Sequence, residues 1–345
     1  AYPKKHRIEN ETQLEEMLSE PSDELVDMMR RLEGDIIILG IGGKMGLSLG
    51  RMAVRATKLA GVERRILGVS RFSNPDTRRE VERAGITSLR CDLLDPEEVA
   101  QLPPVPNVIF MAGRKFGTED AQELTWASNV LIPGCVGHRF NGCRIVAFST
   151  GCVYPFVSPE SGGCTEDVHP EPVGEYAQSC LGRERVFEYF SSHHRTPACL
   201  FRLNYAAEVR YGVLHDIAQK LLAAKPVDLT MGHFNCIWQA DANNAALLAL
   251  EEARIPATPL NVTGPDVLSI RDVAVSMAGI MGVEVVFEGT ESKTAYLSNP
   301  ERAIKKFGPP SVAVDTMTRW CAEWVKSGGR SLGKPTHFEA KNGKF

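Results

Sequence analysis

The sequence predicts an α/β chain with a doubly wound parallel sheet and a smaller C-terminal α/β lobe that would hold a substrate. Three observations predict it. Short apolar runs of strand length alternate with stretches of helical periodicity between residue 35 and about residue 203, the pattern left by parallel strands joined through crossover helices. A glycine-rich turn separates the first apolar run from the first long helix. With 345 residues, 43% hydrophobic and 24% charged, the chain has apolar material for one large domain with a lobe, or for two domains.

Residues 1–33 read as a helical arm. Leu14, Met17 and Leu18, then Leu25, Met28, Met29 and Leu32, recur at helical spacing, and Pro21-Ser22 divides the stretch into two short helices. The arm would pack on the domain or on a partner subunit. Asp35 to Leu39 is the first strand, and its run of Ile36, Ile37, Ile38 and Leu39 suits a strand covered on both faces. A helix from about 45 to 60 follows. Further strands are expected over 65–69, 87–91, 107–111, 143–148 and 198–203, separated by helices over 76–84, 96–102, 119–139 and 174–193. Past residue 203 the rhythm loosens. Helices are expected at 213–224, 240–253, 270–281, 300–306 and 315–327, with short strands near 227–230, 259–262 and 284–287. The organisation that follows is an arm over 1–33 and a dinucleotide-binding domain over 34–205, to which 235–262 returns. A substrate lobe takes 206–234 and 263–330, and a polar, glycine-rich tail, exposed or forming a surface strand, takes 331–345.

The turn after the first strand reads Gly40-Ile41-Gly42-Gly43-Lys44-Met45-Gly46. Gly40 would permit the tight strand-to-helix turn, Gly43 the approach of backbone to a pyrophosphate, and Gly46 the close packing of helix on strand. The helix N-terminus adds free N–H groups and a partial positive charge for an anion. The sheet therefore reads as Rossmann-type, with Gly40, Gly43, Lys44, Met45 and Gly46 at a nucleotide cofactor. The second strand ends in Ser70-Arg71. An acid there would bind the ribose 2′-hydroxyl of NAD, whereas a guanidinium can pair with a 2′-phosphate. NADP is therefore the favoured expectation, with NAD possible; the other reading of Arg71 is a solvated surface arginine.

Other classes are disfavoured. The net charge of −4 and scattered basic residues give no nucleic-acid face. No segment approaches the roughly 20 apolar residues of a membrane span, and the N-terminal residues carry no apolar leader core. Nine cysteines without a CxxC pair point to reduced thiols and a cytoplasmic location, and eight histidines without an HExxH motif give no metal site.

More specific motifs follow the turn. Cys91-Asp92-Leu93-Leu94-Asp95 is an acidic turn after the third strand. Phe110-Met111-Ala112-Gly113 is a small-residue turn after the fourth, and Asn129 lies on the next helix. Ser149-Thr150-Gly151-Cys152-Val153-Tyr154 follows the fifth strand. Tyr176-Ala177-Gln178-Ser179-Cys180 opens a helix, Arg202-Leu203-Asn204 closes the sixth strand, and Leu260-Asn261-Val262-Thr263-Gly264 lies farther on. In this order, over about residues 35–327, they resemble the NAD-dependent epimerase/dehydratase branch of the extended short-chain dehydrogenases. The resemblance implies that Asp92, with Leu93, meets the adenine, and that Met111, Ala112, Gly113, Asn129 and Tyr176 lie against the cofactor. It implies that Tyr176 exchanges the proton of a substrate hydroxyl while Thr150 orients it, and that Cys152, Arg114 and Asn204 border the substrate. It also implies a homodimer paired through helices 119–139 and 174–193.

The resemblance breaks at Cys180. The family pattern is YxxxK, and its lysine lowers the tyrosine pKa, which an ordinary thiol cannot do. Arg183 shares the helical face of Tyr176; it reads first as a surface ion-pair residue and second as a partial substitute. Either Tyr176 still works as acid/base beside Cys180, with help from Thr150 and the cofactor, or it is a hydrogen-bonding or structural residue and the proton is moved by Cys152, Glu166, Asp167 or His169. Phe234 and Lys293 stand near the places where nucleotide-sugar relatives use arginines, so a free sugar or sugar acid is expected rather than a nucleotide-sugar, with Arg114 and Lys115 available to a carboxylate or pyrophosphate. The expected function is an NAD(P)-dependent oxidoreductase or epimerase/dehydratase on a carbohydrate-like metabolite. The alternative is a catalytically impaired dinucleotide-binding sensor or scaffold.

Overall fold

The strand Ile36–Leu39 (β1) is buried at every residue, as its unbroken apolar run requires at the centre of a two-sided sheet. This computed structural model describes residues 7–344; residues 1–6 of the expected arm and Phe345 of the expected tail lie outside the described residues. Around β1 stand β2 (Ile66–Ser70), β3 (Thr87–Arg90), β4 (Asn107–Phe110), β5 (Arg144–Thr150), β6 (Ala198–Leu203) and β7 (Thr258–Val262). Their spatial order is β7-β6-β5-β4-β1-β2-β3, and every pair is parallel. The order reverses between β1 and β4, which opens a crevice outside their carboxyl ends. Leu39 is level with Val69 on one side and Phe110 on the other, so the turns after β1 and β4 meet at that crevice, and β2 ends beside β1 on its far side.

The arm forms α1 (Glu11–Leu18) and α2 (Asp23–Arg31). Asn10 and Ser22 cap them through the N–H groups of Gln13 (2.9 Å) and Leu25 (3.2 Å). Of the two packings open to it, the arm lies on the domain: it covers α3 (Gly46–Ala60) and α10 (Gln239–Leu248). Leu14, Leu25, Met28 and Met29 are fully buried there.

Outside the sheet run α4 (Pro75–Arg83) and α5 (Pro96–Ala100). The long helix expected over 119–139 is α6 (Gln122–Trp126), a π-helical turn over Ala127–Leu131, and α7 (Ile132–Arg139). These pack on α8 (Gly174–His194). Farther on, α9 (Val213–Leu222), α11 (Ile270–Met281) and α13 (Val314–Lys326) form one packed group, while α12 (Glu301–Phe307) lies on β7. Two expected short strands shrink to the pair Val227–Asp228 and Phe287–Glu288.

The expected tail is exposed in part, as at Gly333 to Pro335, but it is also tied down. Residues 331–344 form no strand but thread over the molecule as a strap. Leu332 N–H bonds to Arg210 O at 3.1 Å. Thr336 donates from N–H and Oγ1 to Asp216 Oδ2 at 2.8 and 2.6 Å. Phe338 is 2% exposed, and one buried ring outweighs the polar composition around it. The strap then ties to Thr294 Oγ1 through Lys341 Nζ (3.1 Å) and to Glu119 through Lys344 (3.1 Å). Among the described residues no helix is long and apolar enough to cross a membrane.

Candidate active site

The turns after β1 and β4 touch, and this contact forces glycine at position 40. Gly40 has φ +93°, and a Cβ there would lie 2.6 Å from Ala112 N. A Cβ on Gly46 would lie 2.1 Å from Ile41 O. Gly43 differs: the nearest atom to an added Cβ is Gly40 O at 3.5 Å, an ordinary contact. Nothing in the protein demands glycine there, but its bare face lines a cleft of about 310 Å³. The first turn of α3 has no side-chain cap; Gly46 N–H bonds to Gly43 O at 3.2 Å, and the positive end of the helix dipole favours an anion there. A cradle of this shape fits the pyrophosphate of a dinucleotide.

The opposite wall comes from β5 and α8. Thr150 and Tyr176 both line the cleft, as do Met111, Ala112, Gly113, Arg114, Cys152 and Asn204. Thr150 Oγ1 accepts from Cys152 N–H at 3.1 Å, which fixes the hydroxyl at the end of β5. Behind it, Ser149 donates to Glu184, and Glu184 pairs with Arg202 at 2.6 Å, both fully buried. Arg202 also donates to Tyr154 Oη at 2.8 Å, which donates to Asn261 at 2.7 Å. This polar network braces β5, β6 and β7 directly beneath the site.

Tyr176 donates to the Cys180 thiol. Burial pushes the Tyr176 phenol well above its usual range, Cys180 and Cys152 push the same way, and Arg183 pulls it down. Burial likewise raises the Cys180 thiol. Cys180 does not line the cleft; it is fully buried behind the tyrosine.

Arg183 corrects the first reading made of it. It is 6% exposed and lines the cleft. Its guanidinium donates to Phe148 O (2.8 Å) and Asn129 Oδ1 (2.7 Å) and lies 5.5 Å from the Phe110 ring centre. A Cβ on Gly113 would come within 2.4 Å of Arg183 Nη2 and 2.9 Å of Asn129 Oδ1, so both side chains would have to shift to admit one. Asn129 is fully buried below the cleft. It clamps the turn through Arg114 N–H and Arg114 O, both at 2.9 Å, and donates to Ser179 at 2.9 Å.

Other candidates are placed elsewhere. Ser70, Arg71, Asp92 and Leu93 lie along the ends of β2 and β3, outside the cleft lining; Asp92 accepts from Leu94 N–H at 3.0 Å, and Leu93 is in the core. Asn204 borders the cleft, and its amide nitrogen donates to Asn235 Oδ1 (2.6 Å). Glu166 accepts from Asn261 N–H at 3.0 Å and, with Asp167, faces Arg302. Neither these two nor His169 reaches the cleft lining. Sequence reasoning missed Tyr205, Tyr211, Phe116 and Lys334, which do. None of these four carried a signal in the sequence, whereas Arg183 did, in its seven-residue spacing from Tyr176.

Neither a protein-family model nor a curated protein matches the sequence. Solved structures match in shape. A UDP-glucuronic acid 4-epimerase from Bacillus cereus, in complex with UDP-glucuronic acid and NAD, is 17% identical. The match covers 85% of this chain and 99% of that one with a TM-score of 0.69. A dTDP-glucose 4,6-dehydratase from Bacillus anthracis in complex with NAD is 13% identical over 86% and 97%, TM-score 0.71. A UDP-glucose 4-epimerase from Thermotoga maritima with UDP-glucose is 15% identical over 85% and 99%, TM-score 0.69. The chain shares their fold. The expectation that NADP is favoured is overturned by these structures, which hold NAD in the two Bacillus cases. At the end of β2, Arg71 is exposed, as its other reading as a surface arginine has it, and the Ser70 hydroxyl accepts from Phe72 N–H at 3.3 Å.

Proposed function

We propose that this chain is an NAD-dependent enzyme of the extended short-chain dehydrogenase family, of the epimerase/dehydratase type, acting on a nucleotide-sugar. The observation that carries the reading is the meeting of Tyr176 and Thr150 with the bare face of Gly43 in one cleft. NAD, when bound, supplies a hydride acceptor and donor. Gly40, Gly43, Met45 and the uncapped start of α3 hold its pyrophosphate, and Met111 to Gly113 line its other side. Thr150 orients the substrate hydroxyl and Tyr176 exchanges its proton. Arg183 provides the positive charge that the family pattern draws from lysine, three residues beyond Cys180. The free sugar expected from Phe234 and Lys293 is given up, since the proteins of like fold carry UDP-sugars. NAD titration followed by turnover assays on a panel of UDP- and dTDP-sugars tests the reading, and a chain that fails to bind NAD would sink it.

One observation favours a second reading. The Tyr176 phenol is committed to a thiol and is pushed up, which suits a binding protein that has lost turnover. Tight NAD binding with no reaction on any sugar of the panel would select that alternative.

Assembly as a homodimer fits the apolar surface of α6, the π turn and α8, where Leu124, Leu131 and Tyr189 are exposed. Light scattering that gives a monomer mass at micromolar concentration would contradict it. The nine unpaired thiols suit a reducing compartment such as the cytoplasm.

A further inference from the structure

We propose that the mouth of this cleft is an anion subsite, formed by Lys44, Lys115 and Lys334, that takes the acidic group of the substrate: the diphosphate of a nucleotide-sugar or the carboxylate of a sugar acid. The inference rests on reading the cleft as a cofactor and substrate site. Its three cations come from segments far apart in the chain. Lys44 belongs to the glycine turn, Lys115 to the loop after β4, and Lys334 to the C-terminal strap, and all three line the cleft.

The geometry gathers their charges. Lys44 Nζ lies 3.6 Å from the centre of the Tyr211 ring. Lys44 and Lys115 lie 5.7 and 5.9 Å from the centre of the same Phe116 ring. Lys115 also lies 5.6 Å from the Tyr176 ring centre, so the charge reaches the proton-transfer residue. Arg114 adds a fourth cation at this rim, and its Nε is buried without a hydrogen-bond partner. The acid that bears on both Lys44 and Lys115 is Asp216, and its Oδ2 already accepts two hydrogen bonds from Thr336. Glu208 also bears on Lys44, but it is paired with Arg210 at 3.0 Å. Burial first, then Lys115 and Lys334, hold the Lys44 ammonium well below its ordinary range. Like charges gathered in a half-buried cleft cost free energy that a bound anion relieves.

The places where nucleotide-sugar relatives carry arginine offer no alternative. Phe234 is 1% exposed in the core, and Lys293 does not line the cleft. The strap thus supplies from the far end of the chain what those positions lack.

The test uses the full chain, with and without saturating NAD, and calorimetric titration of UDP, glucuronate and neutral methyl glucoside. Lys334→Ala should weaken the anionic probe that occupies the subsite by about tenfold, the value of one charge-assisted contact. Methyl glucoside should be unaffected and NAD affinity should change by less than about threefold. Lys334→Arg should restore the anion. Loss of UDP binding alone assigns the subsite to a diphosphate, and loss of glucuronate alone assigns it to a carboxylate. Equal affinity of Lys334→Ala and the unmodified chain for both anions overturns the proposal, as does a tenfold loss of NAD affinity, which would give the cluster to the cofactor. Absence of NAD binding strikes the proposed function, while anion binding that depends on Lys334 without NAD still stands for the subsite.

Discussion

The glycine turn after β1 and the helix that carries Tyr176 face each other across one cleft, yet they are constrained by different means. At the turn the limits are set by backbone. Gly40 meets Ala112 N and Gly46 meets Ile41 O, and no neighbouring side chain can move aside to admit a larger residue. On α8 the limits are set by side chains. The position one turn after Tyr176 holds a thiol, and the nearest helical cation is Arg183, reaching Phe148 O and Asn129 from farther along. A backbone requirement leaves one residue type in the sequence. A requirement for charge at a point in space can be met from several positions, so it leaves a weaker trace.

The largest expected effect falls on the helix. Tyr176→Phe should lower kcat by about 10²–10⁴-fold, the usual contribution of a positioned acid/base group, with NAD affinity nearly unchanged. Near-full activity in that variant would make α8 a passive wall and break the comparison.

The turn comes next. Gly40→Ala should destabilise the fold by roughly 1–3 kcal/mol from backbone strain alone, and the contact with Ala112 adds to this. Gly43→Ala meets no clash in the protein, so its Tm should hold while NAD affinity falls about tenfold or more. Thermal melts and NAD titration of the two variants separate the two roles. If both lose stability alike, the open face of Gly43 is not a ligand surface.

The smallest effect is a displacement of the pH–rate profile. Arg183 pulls the Tyr176 phenol down, so Arg183→Met should move the rising limb to higher pH. Cys180→Lys should move it to lower pH, because an ammonium favours the phenolate. A merely structural role for either residue would lower activity at every pH without moving the limb.

The sheet was legible because strands buried on both faces leave apolar runs and the crossover helices leave periodicity. The glycine turn was legible because steric necessity selects glycine at Gly40 and Gly46. Arg183 was misread because a charged residue on a polar helix is ordinarily at the surface, and its burial depends on Gly113 and Asn129, far off in sequence. The strap was misread because its one anchoring ring, Phe338, is hidden among polar neighbours. The lysine cluster joins positions 44, 115 and 334, a proximity that only the fold creates. Ser70 and Arg71 misled on the cofactor because local chemistry says nothing of what is built around it.

The π turn at Ala127–Leu131 has a consequence for how this chain tolerates changes of length. A π turn contains one residue more than the α-helical turn it replaces, so the helix here has absorbed an extra position as a bulge. Asn129 sits within it and holds the Arg114 backbone, Ser179 and Arg183 together. Deleting one residue from the bulge would restore a regular helix, but it would turn α6 about 100° relative to α7. Leu124 and Trp126 would leave their present faces, and the Asn129 clamp would lose its partners. In this stretch, length is as constrained as composition, and a one-residue indel would be felt at the floor of the cleft before any side chain lining it had changed.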